Sequence, residues 1–192
     1  EYGDFLASSR TPGTWDYGYL HPAGGICTVQ EDELYFYYSA FSGDSPRFGH
    51  HKYSGGGVGL AKLRRDGFAC MYDKDGAGGS LTSEVLACSG EYFFVNADCR
   101  GGSLRAELLD ETGKVIPAYS RDKCQVVCQD GTKQQVTWDG APALKGLPEK
   151  IRVRFLLNHA RLYAFWITDD AEGRSHGYLG AGSPVAGKDG RG

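Results

Sequence analysis

Long apolar runs, an excess of positive charge and paired-cysteine motifs are all lacking from this sequence. No stretch has the length needed for a membrane-spanning helix, so no membrane partner is expected. Twenty-one lysines and arginines stand against 24 aspartates and glutamates, for a net charge of −3. That balance leaves no electrostatic footprint for nucleic acid. Cys27, Cys70, Cys88, Cys99, Cys124 and Cys128 form no C-x-x-C pair, which removes zinc-ribbon and thioredoxin-like readings. Gly55-Gly56-Gly57-Val58-Gly59 lacks the lysine and following helix of a phosphate cradle. The chain opens on Glu1 with no signal-peptide pattern, so a processed or truncated product is expected.

What is present points to strands. Tyrosine, glycine and β-branched residues abound, and short alternating segments are separated by turn residues. Ile26–Val29 and Leu34–Phe41 read as a hairpin about the polar turn Gln30-Glu31-Asp32-Glu33. The second of these strands is apolar on both faces, a pattern that normally means cover on both sides. Ser42–Gly56 reads as a linker loop. Val58–Leu63 alternates, and Arg65-Asp66-Gly67 turns it toward Phe68–Tyr72, a pair expected to open a new domain. Leu81–Leu86, Tyr92–Asn96, Ser103–Leu109, Cys124–Cys128, Gln134–Trp138, Ile151–Leu157 and Arg161–Thr168 continue the series, with Asp110–Lys114 as a turn. No segment reads as a helix of more than two turns.

The expected fold is therefore all-β. An antiparallel β-sandwich or jelly roll covers residues 58–169, a β-hairpin segment covers 1–57, and a Gly-rich tail, 170–192, lies along a surface.

Six cysteines suggest an oxidising compartment, either secreted or periplasmic. Cys124 and Cys128 would lie about 13 Å apart on one extended strand at ~3.3 Å per residue. Disulfide Cα atoms sit roughly 4.4–6.8 Å apart, so these two pair only if the segment bends; a bridge from Cys99 to Cys124 or Cys128 is expected instead, with free buried thiols for the rest.

Two groups of residues then resemble a known architecture. Trp15-Asp16-Tyr17-Gly18-Tyr19, His21-Pro22-Ala23-Gly24-Gly25 and Glu33–Phe41 resemble a last-blade hairpin of the five-bladed propeller in invertase- and arabinanase-like glycoside hydrolases. Gly59–Phe68, Thr82, Phe94–Asp98, Leu104–Asp110 and the closing run Arg161–Trp166 are similar to the β-sandwich appended to such propellers, a module like a carbohydrate-binding one. The resemblance implies an accessory role beside a catalytic propeller domain. The carboxylates those hydrolases use sit mainly in earlier blades, so it carries no catalytic residue onto this chain.

A sugar-binding site needs flat aromatic faces beside groups that hydrogen-bond hydroxyls. Trp15, Asp16, Tyr17, Tyr19, His21, Tyr53 and Trp138 are the candidates, with a polysaccharide or oligosaccharide as partner. The plain alternative is that these rings fill a core. Asp16 and His21 are also a candidate carboxylate–imidazole pair. His50-His51 with His21 and Asp44 are weak metal candidates, since adjacent strand residues face opposite ways. Asp73, Asp75 and Glu84 occupy positions 1, 3 and 12 of a calcium-loop spacing, with Ala77 breaking position 5. A structural calcium is thus a candidate, and no other cofactor is expected.

Overall fold

The computed structural model describes residues 4–47, 49–73 and 75–175, with the backbone alone at 25 and 26. The fold is all-β with antiparallel sheets, and among the described residues the one helical element is the 3₁₀ turn Pro117–Tyr119. The chain divides into two compact units, residues 1–68 and 69–192.

The first unit is a three-stranded sheet in the order β1-β2-β3, formed by Tyr19–Gln30, Glu33–Phe41 and Gly56–Arg64. The hairpin expected around Gln30–Glu33 is present, its turn closed by Glu31 in the left-handed region (φ 53°). The register between β1 and β2 breaks between Pro22 and Cys27, where proline cannot donate to the ladder and Gly24-Gly25 relax the backbone.

The next strand corrects the domain division. β3 pairs along its whole length with β2, from Glu33↔Arg64 to Phe41↔Gly56. It therefore completes the first sheet rather than opening the second unit, and the division falls after Phe68 instead of Gly57. The reason lies in Gly57 and Gly59, which leave room for rings reaching across from β2 and the N-terminal turn. A Cβ on Gly59 would run into the Tyr38 ring, and one on Gly57 would meet Trp15 at 3.2 Å. Ser42–Gly56 is accordingly no linker but a hydrogen-bonded excursion between two strands of one sheet. Arg65-Asp66-Gly67 does turn the chain (Asp66 φ 56°).

The second unit holds two antiparallel sheets. One has the order β4-β11-β7-β9, from Met71–Tyr72, Arg161–Thr168, Tyr92–Asp98 and Asp130–Val136. In the other, β8 (Ser103–Asp110) runs along one edge of β10 (Lys150–Asn158). The short strands β5 (Gly79–Thr82) and β6 (Leu86–Ala87) share the opposite edge. Alternation along β10 sets the packing. Ile151, Val153, Phe155 and Leu157 are buried while Arg152, Arg154 and Leu156 face outward. Their partners on β8, Leu104, Ala106 and Leu108, point the same way.

These side chains share one core with Phe93, Val95, Ala97, Val136 and Leu162 of the other sheet, an arrangement consistent with a β-sandwich. Phe93 stacks on Phe165 at 6.0 Å and lies 6.1 Å from Phe155, linking the two sheets ring to ring. Residues 170–175 fold back on this unit, where Trp166 Nε1 donates to the Gly173 carbonyl at 3.1 Å. The rest of the tail lies outside the described residues.

Two expectations fail inside this unit. Cys124–Cys128 is not a strand; its ladder pairing is limited to the isolated bridges Leu104↔Val127 and Cys124↔Trp138. None of the six cysteines forms a disulfide. Cys124 is instead buried, its sulfur accepting the Ala106 N–H at 3.2 Å, and burial pushes its thiol pKa up. Cys128, the residue after core-facing Val127 on that irregular segment, points to solvent.

Candidate functional site

The two faces of the first sheet have different fates. Residues paired in register share a face, so Leu34, Phe36, Tyr38 and Ala40 lie together with Gly57, Gly59 and Ala61. Three rings from outside the strands cover that face. Phe5 and Phe68 meet Phe36 edge-on at 5.2 and 6.0 Å, and Trp15 lies 5.9 Å from Tyr38.

The opposite face carries Tyr35, Tyr37, Ser39 and Phe41 of β2, Tyr19 and His21 of β1, and Val58, Leu60 and Lys62 of β3. It remains open. Val58 is 77 % exposed, and Tyr37 and Leu60 are each 41 % exposed. At one end an aromatic cluster forms. The Tyr53 ring meets Tyr19 and Phe41 edge-on, each at 5.5 Å, and Tyr19 lies 6.3 Å from both Phe41 and His21. Lys52 Nζ sits 4.2 Å above the Tyr19 ring and 5.4 Å from that of Tyr53, a cation–π contact to each.

The 42–55 loop brings Lys52 and Tyr53 to this place. Backbone bonds Ser42 N–H to Gly55 O, Gly43 N–H to Ser54 O and His51 N–H to Gly43 O hold it as a folded excursion. Gly55 in the left-handed region (φ 66°) lets it close, and Ser54 is buried beneath it. Gly18 must come close to this loop: its N–H donates to Phe41 O at 2.7 Å, and a Cβ there would meet Gly43 N at 2.9 Å. Farther along the face, Lys62 is held by Glu33 (2.9 Å) and stands 4.7 Å over the Tyr35 ring.

The candidates thus separate. Tyr19, His21 and Tyr53 come together. Trp15, 45 % exposed, is on the other face, packed over Gly57 and Tyr38. Asp16 and Tyr17 occupy the turn before β1, Tyr17 donating its N–H to Thr14 O, and no ion pair joins Asp16 to His21. Trp138 is not a surface platform. It is 3 % exposed, meets Phe93 and Tyr119 edge-on at 5.8 and 5.4 Å, and donates Nε1–H to Ala106 O. The tight turn at Asp139-Gly140, both with positive φ, folds the chain back so that this ring points inward.

Phe41 and Lys52 are site residues that the sequence reading passed over. The signal for Phe41 was its parity with Tyr35 and Tyr37 on β2. Nothing in the sequence alone placed Lys52 over two rings.

The metal candidates do not assemble. No group of three or more His, Cys, Asp or Glu side chains is placed to hold an ion among the described residues. Asp73 is engaged elsewhere, accepting the backbone N–H groups of His159 (2.8 Å) and Ala160 (3.2 Å). Glu84 is nearly fully exposed beside Arg152, and Asp75 is exposed. His50 pairs loosely with Asp44 at 3.4 Å in solvent.

The amides of His159 and then Ala160 hold the Asp73 carboxyl below its ordinary value of 3.8. A depressed carboxyl contributes stability above the unfolded-state value and loses it as pH falls through the folded one. Asp73→Asn is therefore expected to lower the melting temperature of the second unit at pH 7. The gap to the parent protein should narrow steadily below about pH 4. A gap constant from neutral to acid pH in calorimetric scans would refute this role.

No family profile, curated protein or solved structure matches the chain.

Proposed function

We propose that this chain is a non-catalytic carbohydrate-binding or accessory module of a secreted carbohydrate-active protein, its second unit a sandwich of jelly-roll type. One observation carries the reading: an exposed Tyr53 ring clusters with half-buried Tyr19 and Phe41, with His21 and Lys52 at the rim, on an open sheet face. Tyrosine faces match the C–H surface of a sugar ring, while the imidazole and ammonium supply donors for hydroxyls. The partner is a polysaccharide or oligosaccharide.

The test is calorimetry or affinity electrophoresis against plant, algal and host polysaccharides. Tyr53→Ala removes a ring that is 63 % exposed, so it should weaken binding by roughly tenfold, about 1.4 kcal/mol. The melting temperature should stay unchanged. Absence of binding to every polysaccharide at millimolar ligand sinks the reading.

A second reading has its own support. Tyr37, Val58 and Leu60 leave an apolar face open on a sheet that is apolar on both sides, as expected of a portion of a larger glycoside hydrolase whose catalytic residues lie outside this chain. A propeller domain would then be the partner for that face. Hydrolysis by this polypeptide alone would overturn the placement of the catalytic residues elsewhere. A purely structural or protein-interaction role is less well supported, because Trp15 and Tyr17 remain exposed at 45 and 42 %.

A further inference from the structure

A second constellation lies wholly inside the second unit and uses none of the aromatic candidates. Register puts four side chains in one transverse row at the end of the β4-β11-β7-β9 sheet: Tyr72↔Arg161, Arg161↔Asp98 and Asp98↔Asp130. Arg100 clamps this row, donating from Nε (2.9 Å) and Nη2 (2.7 Å) to the two Asp98 oxygens and standing 3.5 Å from Asp130. Above it rises the β10–β11 turn. His159 there adopts a left-handed conformation (φ 45°), and Asp73 fixes the turn through two backbone bonds. The result is an open cavity of about 460 Å³ lined by Tyr72, Asp73, Asp98, Arg100, His159 and Arg161.

We infer that this cavity is a binding site for an uncharged sugar residue carrying a vicinal diol. The size falls within the usual range for small-ligand sites. Asp73, Asp98 and Asp130 stand against Arg100 and Arg161, so the site has no excess positive charge to draw an anion. A diol both donates and accepts at each hydroxyl, which suits a wall alternating carboxylate acceptors with guanidinium donors. Tyr72 is 47 % exposed and contributes a ring at the edge of the row, as an apolar platform. An acidic sugar would instead set its carboxylate against Asp73 and Asp98, which disfavours uronates. The inference rests on the carbohydrate reading above but assigns a separate site.

The experiment is an amide NMR titration of the whole chain with glucose, galactose, arabinose, xylose and fructose in turn, and with galacturonate. At least one neutral sugar should shift the amides of Tyr72, His159 and Arg161, with galacturonate binding more weakly. Arg161→Ala and Tyr72→Ala should each weaken that binding by roughly tenfold, about 1.4 kcal/mol.

His159→Gly separates folding from binding. Glycine relaxes the left-handed turn, so the variant should melt no lower than the parent protein while losing affinity. Stronger binding of galacturonate, or neutral-sugar shifts confined to Tyr19 and Tyr53, overturns the site. The latter result leaves the aromatic-face reading standing, whereas silence at both places defeats both.

Discussion

Replacing Trp138 by alanine is expected to cost the second unit about 3–5 kcal/mol, the range for deleting a large core aromatic. The ring is 3 % exposed and joins Phe93 to Tyr119, so its loss opens a void between the two sheets. The Ala106 carbonyl would also lose the indole donor. Since a whole domain is stable by only about 5–15 kcal/mol, the variant should unfold at a much lower urea concentration. Trp138→Phe keeps the edge-on ring contacts and gives up the N–H, so it should lose only about 1–2 kcal/mol. Urea titrations read by near-ultraviolet circular dichroism make the comparison. An alanine variant within about 1 kcal/mol of the parent would mean that the ring does not bridge the sheets.

Breaking the Arg154–Glu107 pair should have the next largest effect. Arg154 Nη1 donates to Glu107 Oε1 at 2.7 Å across the β8–β10 register, and Glu107 is only 6 % exposed. Arg154→Met leaves that carboxylate buried without its cation. A loss of roughly 3 kcal/mol is expected, at the bottom of the range for half-broken buried pairs, because the Arg154 side chain is 35 % exposed and water can enter where it stood. Adding Glu107→Leu should restore most of the stability, since a well-packed apolar pair substitutes for a buried ion pair at little cost. The double-mutant cycle gives the coupling directly. If the second substitution made matters worse, the carboxylate would be held by something other than this arginine.

Much of the fold could be read from residue order. Ile151–Leu157 and Ser103–Leu109 alternate so cleanly that their inward faces follow from the side-chain period of two. The Asp110–Lys114 turn was legible too, because an aspartate at its head can accept the amides that follow. Asp110 Oδ1 takes those of Thr112 and Lys114 and the Thr112 hydroxyl. Pairing partners were not legible. Alternation in Val58–Leu63 identified a strand but said nothing of which sheet it joins. That depended on rings from β2 and the N-terminal turn fitting over Gly57 and Gly59, a long-range packing fact.

The candidate site shows the same division. Aromatic loop residues were visible as a class, yet Trp15 and Tyr53 lie over opposite faces because the path of each loop, not a strand's alternation, decides where its ring docks. Trp138 was misread because its inward turn depends on positive φ at Asp139 as well as at the glycine after it. Asp98 and Arg161 stood out only as parts of strands; their meeting with Tyr72 is a matter of lateral order within a sheet.

The absence of cystine has a practical side. A fold with no disulfide to lose is indifferent to redox poise, so reductant should leave its unfolding midpoint where it was. The secretory expectation loses the support that cysteine number lent it and stands on the architectural resemblance. Air, on the other hand, is a hazard for samples in storage. Cys27 and Cys128 face solvent, one in each unit, and two such thiols per molecule are enough to link copies into chains. Ladders on a non-reducing gel would record ageing of the preparation, not native assembly.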